Sequence, residues 1–250
     1  MAGMTNELKP DTPKRSPVAL VTGGSEGLGL ELVRELSDRA WTVVTDARDS
    51  HRLHANVGGL PSKARVRPIA GDVADAAHRA ALAAELDTLG GLDLLVLNAS
   101  TLGPLPMRPL RDLTATELGD TIRGTAGANA ALMIELVDRL LRRDGVVLGI
   151  SSDAAVEHYE TWGPYGAAKA ALDHLVQTFG AETGLAAYAV DPGDMRTRMH
   201  QDAFPDEDIS DRPLPETVVP RLLALVAQRP PTGRYRAADV AMPDLAEVPA

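Results

Sequence analysis

Tyr165 and Lys169 stand four residues apart in Trp162-Gly163-Pro164-Tyr165-Gly166-Ala167-Ala168-Lys169-Ala170-Ala171-Leu172, and Ser152 stands thirteen residues before the tyrosine. The segment from Tyr165 onward is rich in alanine and reads as helix. Positions i and i+4 share one helix face, so the phenol and the ammonium point the same way. A cation beside a phenol favours the phenolate and lowers its pKa from about 10. A phenol tuned in this way passes a proton to or from an alcohol oxygen near neutral pH. Ser152 closes the apolar run Val146-Val147-Leu148-Gly149-Ile150, which reads as a buried strand. Its hydroxyl is then a second donor for a carbonyl oxygen. Taken alone, the pair is equally an ordinary exposed Tyr and Lys on a helix.

The first third of the chain adds a place for a diphosphate. Val18-Ala19-Leu20-Val21-Thr22 is a short apolar strand running into Gly23-Gly24-Ser25-Glu26-Gly27-Leu28-Gly29. An amphipathic helix follows, with Leu32, Val33 and Leu36 on one side. Glycines let the backbone approach phosphates, and the free N–H groups and dipole of a helix N-terminus attract them. The spacing is T-G-x-x-x-G-x-G rather than the G-x-G-x-x-G of the longer dinucleotide fingerprint.

In these motifs the chain resembles the classical short-chain dehydrogenases/reductases, from about Pro17 to its end. The resemblance rests on the Thr22–Gly29 turn, Asp72-Val73, Asn98-Ala99, Ser152, the Tyr165/Lys169 pair, and Pro192-Gly193 followed by Thr197, in that order. It implies reversible hydride transfer between a nicotinamide and a ketone or secondary alcohol. Tyr165 is the implied acid/base, Ser152 holds the substrate oxygen, and Lys169 tunes the phenol and binds the nicotinamide ribose. The implied cofactor contacts are Thr22, Gly23, Ser25, Glu26, Gly27, Leu28 and Gly29 around the diphosphate, and Asp72 and Val73 at the adenine. Asn98, Ala99, Tyr165, Lys169, Pro192, Gly193 and Thr197 follow along the ribose and nicotinamide. By family spacing the NAD-selecting carboxylate position falls on Ala47, and Arg48 stands where NADP users often carry a base. Glu26 and Asp46 point the other way, so NADP is expected, with NAD the alternative.

The family pattern is broken in two places. Ser100 replaces the usual glycine after Asn-Ala. Counting back 28 residues from Ser152, to where most members carry an asparagine in the long helix, gives Gly124. Asn129 does not replace it, because five residues rotate a helix position by about 140°. Two alternatives therefore stand beside the redox reading: an epimerase, dehydratase or cyclase on the same scaffold, and a non-catalytic cofactor-sensing protein. Tyr159, Trp162, Met195 and Met199 are candidates for an apolar wall, His158 for a polar substrate contact. The resemblance also implies a homodimer or homotetramer pairing the long and catalytic helices, with Ala126, Ala130 and Ala131 allowing close contact.

Composition fits these expectations. The 250 residues are 44% hydrophobic with a formal net charge of −10, which suits one full-sized core and argues against nucleic acid or anionic membranes as partners. There is no cysteine, so disulfides and thiolate metal sites are excluded; His51 and His54 lie in a polar, turn-like stretch, and no metal is expected. No apolar run approaches membrane-spanning length and no basic-then-apolar leader follows Met1, so a soluble cytoplasmic protein is expected. Residues 1–16 read as a disordered lead-in and 17–250 as a single α/β, Rossmann-type domain. Strands are expected near 17–22, 42–45, 66–70, 92–97, 145–151 and 186–190, with a seventh beginning at Arg234. Helices are expected near 27–40, 75–89, 115–143, 164–182 and 216–228, the third broken at Gly124 and Gly127. Pro68 assigns the third strand to a sheet edge. Alternation of this kind gives a doubly wound, mainly parallel sheet.

Overall fold

The computed structural model describes residues 15–242. The segment expected to be a disordered lead-in lies, as far as residue 14, outside the described residues; Arg15 forms a forked pair with Asp93 at 3.0 and 3.1 Å.

Seven strands form one parallel sheet. They are β1 (Val18–Val21), β2 (Thr42–Ala47), β3 (Val66–Ala70), β4 (Leu94–Leu97), β5 (Val146–Ile150), β6 (Ala187–Asp191) and β7 (Gly233–Arg236). Their spatial order is β3-β2-β1-β4-β5-β6-β7, every pair parallel. The chain starts in the middle, winds outward to β3, and returns to β4 on the other side of β1. Pro68 does lie on an edge strand, where its missing N–H costs no ladder bond. Strands buried on both faces must be apolar throughout, and β1, β4 and β5 are wholly buried.

Alternate residues of these strands feed two cores. Ala19, Val21, Leu94 and Val96 pack under α1 (Gly27–Asp38), α2 (Ser50–Gly58) and the late helix Pro215–Gln228. Val18, Leu20, Leu95 and Leu97 pack on the opposite side against α3 (Ala76–Thr88), α5 (Ala128–Glu135), α6 (Val137–Leu141) and α7 (Gly163–Thr183). The period of two along a strand sorts these sets to opposite faces.

The long helix expected over 115–143 is interrupted, as its glycines imply. α4 (Ala115–Ile122) passes into a π turn over Arg123–Gly127, and only then does α5 begin. Leu136 separates α5 from α6. Two helices are absent from the expectations above. One is α2, where Asp49 caps by accepting from Arg52 N–H at 3.0 Å, and Leu53 and Val57 bury one turn apart; His51 and His54 lie on it, not in a turn. The other is the short α8 (Arg198–Ala203), capped by Thr197. We call Pro215–Gln228 α9. Among the described residues no helix is long and apolar enough to cross a membrane.

Candidate active site

The strand ends open into one groove of about 680 Å³ at the carboxyl edge of the sheet. It lies where β1 and β4 send their chains in opposite directions, the usual ligand crevice of such sheets. The turn after β1 can be built only from small residues. A Cβ on Gly24 would stand 1.9 Å from Thr45 Oγ1, and one on Gly29 would stand 2.2 Å from Gly23 O. Gly23 and Gly27 have φ of 71° and 56°, a region costly for other residues. Asp49, Asp75 and Thr114 cap α2, α3 and α4 with their side chains, but Glu26 makes no such bond to α1. The first N–H groups of α1 are thus left for an anion in the groove. This cradle fits a dinucleotide diphosphate.

Ser25, Glu26, Gly27, Leu28, Gly29, Asp72, Val73, Asn98, Ala99, Pro192, Gly193 and Thr197 all line the groove. Thr22 does not. It is fully buried behind the turn, where its Oγ1 accepts from Asn98 N–H at 3.0 Å and Ala99 N–H at 2.9 Å. Asn98 answers by donating Nδ2 to Thr22 O at 2.8 Å. Asp72 accepts Ala74 N–H at 2.9 Å and so shapes its own loop. Ser100 does not have the left-handed φ that would demand glycine, so the family's missing glycine costs no strain here. Thr197 caps α8, and its methyl faces the place of a Cβ on Gly27 at 3.5 Å, bringing the two rims of the groove together.

The charges at the end of β2 settle into distinct jobs. Asp46, only 2% exposed, spends one carboxylate oxygen on Gly23 N–H and the other on His78 Nε2, each at 2.9 Å. Both of its oxygens are engaged in holding the turn after β1 and the ring of His78. Glu26 is paired with Arg52 at 2.8 Å. Arg48 lines the rim, exposed, with no hydrogen bond or ion pair among the described residues.

Ser152, Tyr165 and Lys169 meet at the inner end of the groove. Ser151, which also lines the groove, donates its hydroxyl to Asp173 at 2.8 Å. Ser152 Oγ donates to Asp153 at 2.9 Å. Lys169 Nζ lies 5.5 Å from the centre of the Tyr165 ring and donates to Ile150 O at 2.7 Å. The expected lowering of the phenol pKa is not found. Burial pushes Tyr165 up to about 12; the Ser152 hydroxyl pulls the other way, and Asp153, Asp191 and Asp173 push further up. Burial also brings Lys169 down to about 8, against the field of Asp173. The i, i+4 spacing places the two groups together, but desolvation outweighs their mutual effect.

Gly124 lines the groove, and Asn129 does not. Asn129 is fully buried and donates to Ala99 O at 3.0 Å and Thr125 O at 2.8 Å. Of the apolar wall, Trp162, Met195 and Met199 line the groove together with Leu102 and Ala203. Tyr159 is set at its mouth, edge-on to Trp162 at 6.3 Å and bonded to Asp153 at 2.8 Å. His158 is exposed and absent from the lining. Sequence reasoning missed Arg52, Asp173 and Arg234, and read Asp46 as a free carboxylate. The cap-and-apolar spacing of α2 would have revealed Arg52; the others depend on contacts between distant elements.

Known proteins agree with this geometry. The family model for short chain dehydrogenase matches residues 17–208. A protein named as ketoacyl reductase 1 of the granaticin polyketide synthase, from Streptomyces violaceoruber, is 32% identical over 192 residues, covering 73% of this chain and 69% of its own. A tropinone reductase homolog from Arabidopsis thaliana is 28% identical over 203 residues, 77% of this chain and 74% of its own. A short chain dehydrogenase from Escherichia coli, solved in complex with NADPH, superposes with a TM-score of 0.82 at 25% identity, over 89% of this chain and 97% of that one. The chain belongs to the short-chain dehydrogenase family, a family of oxidoreductases.

Proposed function

We propose that this protein is an NADP-dependent ketoreductase acting reversibly on a ketone or secondary alcohol. The observation that carries the reading is the convergence of Ser152, Tyr165 and Lys169 at the inner end of a groove whose outer end is an uncapped helix N-terminus. NADPH, when bound, supplies the hydride. The chain's own part is to hold the substrate carbonyl and protonate its oxygen. Ser152 leaves Asp153 and donates to that oxygen, stabilising the charge that develops there. Tyr165 passes its phenolic proton to the same oxygen. Lys169, as an ammonium beside the resulting phenolate, stabilises its charge. A protein named as a ketoacyl reductase and a tropinone reductase homolog among the relatives support carbonyl reduction over the epimerase, dehydratase, cyclase or sensor alternatives. The apolar lining by Leu102, Trp162, Met195 and Met199 supports a largely apolar substrate.

Arg48 and the engagement of Asp46 and Glu26 support NADP. Asp46 is committed to Gly23 and His78, and Glu26 to Arg52, so the two acids that favoured NAD are both engaged. The unpaired Arg48 is available to a 2′-phosphate. We further propose a homo-oligomer formed through the outer faces of α5, α6 and α7. Ala130 and Ala131 are partly exposed there, whereas Ala126 is only 2% exposed and belongs to the core, not to a contact face. Ile134 and Leu141 add apolar surface at 65% and 49% exposure.

Four measurements test this reading. Tyr165→Phe fills the same space and loses only the proton donor. It should fold normally, keep its NADPH affinity, and lose nearly all turnover on a ketone panel; activity within a few fold of wild type would remove Tyr165 from the mechanism. Arg48→Ala should raise KM for NADPH at least tenfold while sparing NADH, since a charge-assisted phosphate contact contributes about 1.5–3 kcal/mol. An equal effect on both cofactors would make NAD the better assignment. Light scattering at micromolar concentration should give a dimer or tetramer, and a monomer rejects the interface. Gly124→Asn should be accommodated, because a Cβ there meets only Thr101 Cγ2 at 3.7 Å. If the lost asparagine slows proton delivery, kcat rises with KM unchanged; an unchanged kcat in a variant with wild-type Tm shows that delivery is not limiting.

A further inference from the structure

Three successive residues leave the end of β5, and a charged side chain grips each one. Ile150 O accepts from Lys169 Nζ at 2.7 Å. Ser151 Oγ donates to Asp173 Oδ2 at 2.8 Å. Ser152 O accepts from Arg234 Nη2 at 2.9 Å. Arg234 Nε closes the set by donating to the same Asp173 oxygen at 3.0 Å. Tyr165, Lys169 and Asp173 follow at four-residue intervals, so they form one stripe down the inner face of α7.

A carboxylate is a costly way to fill this space. Asp173 is 5% exposed, and its second oxygen, Oδ1, is buried without a partner. An apolar side chain would pack the helix without that penalty. We propose that Asp173 and Arg234 are positioning residues of the catalytic centre: Arg234 fixes the backbone that presents Ser152, and Asp173 is the buried counter-charge of Lys169. The assignment rests on the ketoreductase reading only in taking Ser152, Tyr165 and Lys169 as the reacting centre.

The electrostatics agree. Desolvation brings Lys169 down, and the field of Asp173 opposes it. Burial raises Asp173 in turn, while Ser151, Arg234 and Lys169 lower it. The other charged or titratable groups around this stripe are Tyr165 on α7, Asp153 after β5, Asp191 at the end of β6, whose Oδ2 is 3.8 Å from Arg234, and Asp120 on the groove wall. Of these, Asp173 is the one whose field resists the desolvation of Lys169.

The chain has only four lysines, Lys9, Lys14, Lys63 and Lys169, so lysine-selective isotope labelling resolves each ammonium by NMR. Lys169→Arg assigns the signal. In the wild type, Lys169 should titrate near 8, apart from the other three. Asp173→Asn keeps an acceptor for Ser151 and removes the charge; Lys169 should then titrate about one pH unit lower. If the chain turns over a ketone, the alkaline loss of kcat should move down in step, because the ammonium is lost at lower pH. Arg234→Gln should lower kcat on the order of tenfold with NADPH KM unchanged, and Arg234→Lys should recover part of it. A Lys169 titration unmoved in Asp173→Asn, or moved equally in Asp191→Asn, overturns the counter-charge. Should Asp173→Asn fail to fold, Asp173→Ser makes the same test, and a Lys169 titration unmoved in it overturns the counter-charge. An Arg234→Gln loss confined to Tm overturns the positioning of Ser152. Absence of turnover with any ketone removes the ketoreductase reading instead, and the lysine titration still decides this one.

Discussion

The groove is open because the two loops that part company at the centre of the sheet are bonded to each other. Thr22 Oγ1 holds the N–H groups of Asn98 and Ala99, and Asn98 Nδ2 holds Thr22 O and Gly23 O. Buried backbone groups must find partners, and here one loop satisfies the other. Gly23 has to lie flat for this, since a Cβ would meet Asn98 Nδ2 at 3.1 Å and Ala99 Cα at 3.2 Å. Asp46 and His78 then brace the same turn from beneath through Gly23 N–H. The cradle is therefore set before any ligand arrives, which spares binding the cost of ordering it.

The centre at the other end of the groove is set differently. Its backbone is clamped, but its protonation states are set by burial. A phenol near 12 and an ammonium near 8 are both charge-averse, and both for the same reason. Carboxylates at Asp153, Asp173 and Asp191 raise the phenol further. Ser152 meanwhile donates a hydrogen bond to Asp153. Under the proposed mechanism a substrate oxygen competes with that acid for Ser152, and Asp153 then bears on substrate binding. Its carboxylate also receives the Tyr159 hydroxyl, which couples the aromatic mouth of the groove to the reacting end.

Much of this was legible in the sequence. Short apolar runs and glycine turns marked the central strands, because parallel strands buried on both faces leave a strong pattern; Pro68 placed β3 at an edge, and the half-exposed β7 was suggested only by Arg234-Tyr235-Arg236. Helix period and turn chemistry are local, and the glycine turn and the Tyr165/Lys169 pair that they pick out, together with Ser152 from the family resemblance, all line the one groove. What escaped depends on long-range contact. Thr22 reads as a ligand residue and is a structural clamp. Asp46 reads as an obstacle to NADP until its two partners, 23 and 32 residues away, are known. Arg234 lies 61 residues from Asp173 and 82 from Ser152, and no periodicity joins them. The lowered phenol pKa failed for a related reason: sequence spacing shows which charges are near, not how much water each has lost.

Gly124 brings these strands together. In a regular helix Asn129 would be turned about 140° from it, and the intervening π turn does not bring Asn129 into the groove. Instead its amide donates to Ala99 O, tying α5 to the loop after β4. Thr125, within the π turn, reaches the same loop at Thr101 N–H, 3.3 Å away. The helix deformation thus anchors the loop carrying Asn98 and Ala99 while leaving the position facing the groove without a side chain. π turns of this kind are frequent at functional sites. The empty position is consistent with that division: the polar side chains of this segment hold the wall, and the space at Gly124 belongs to the groove.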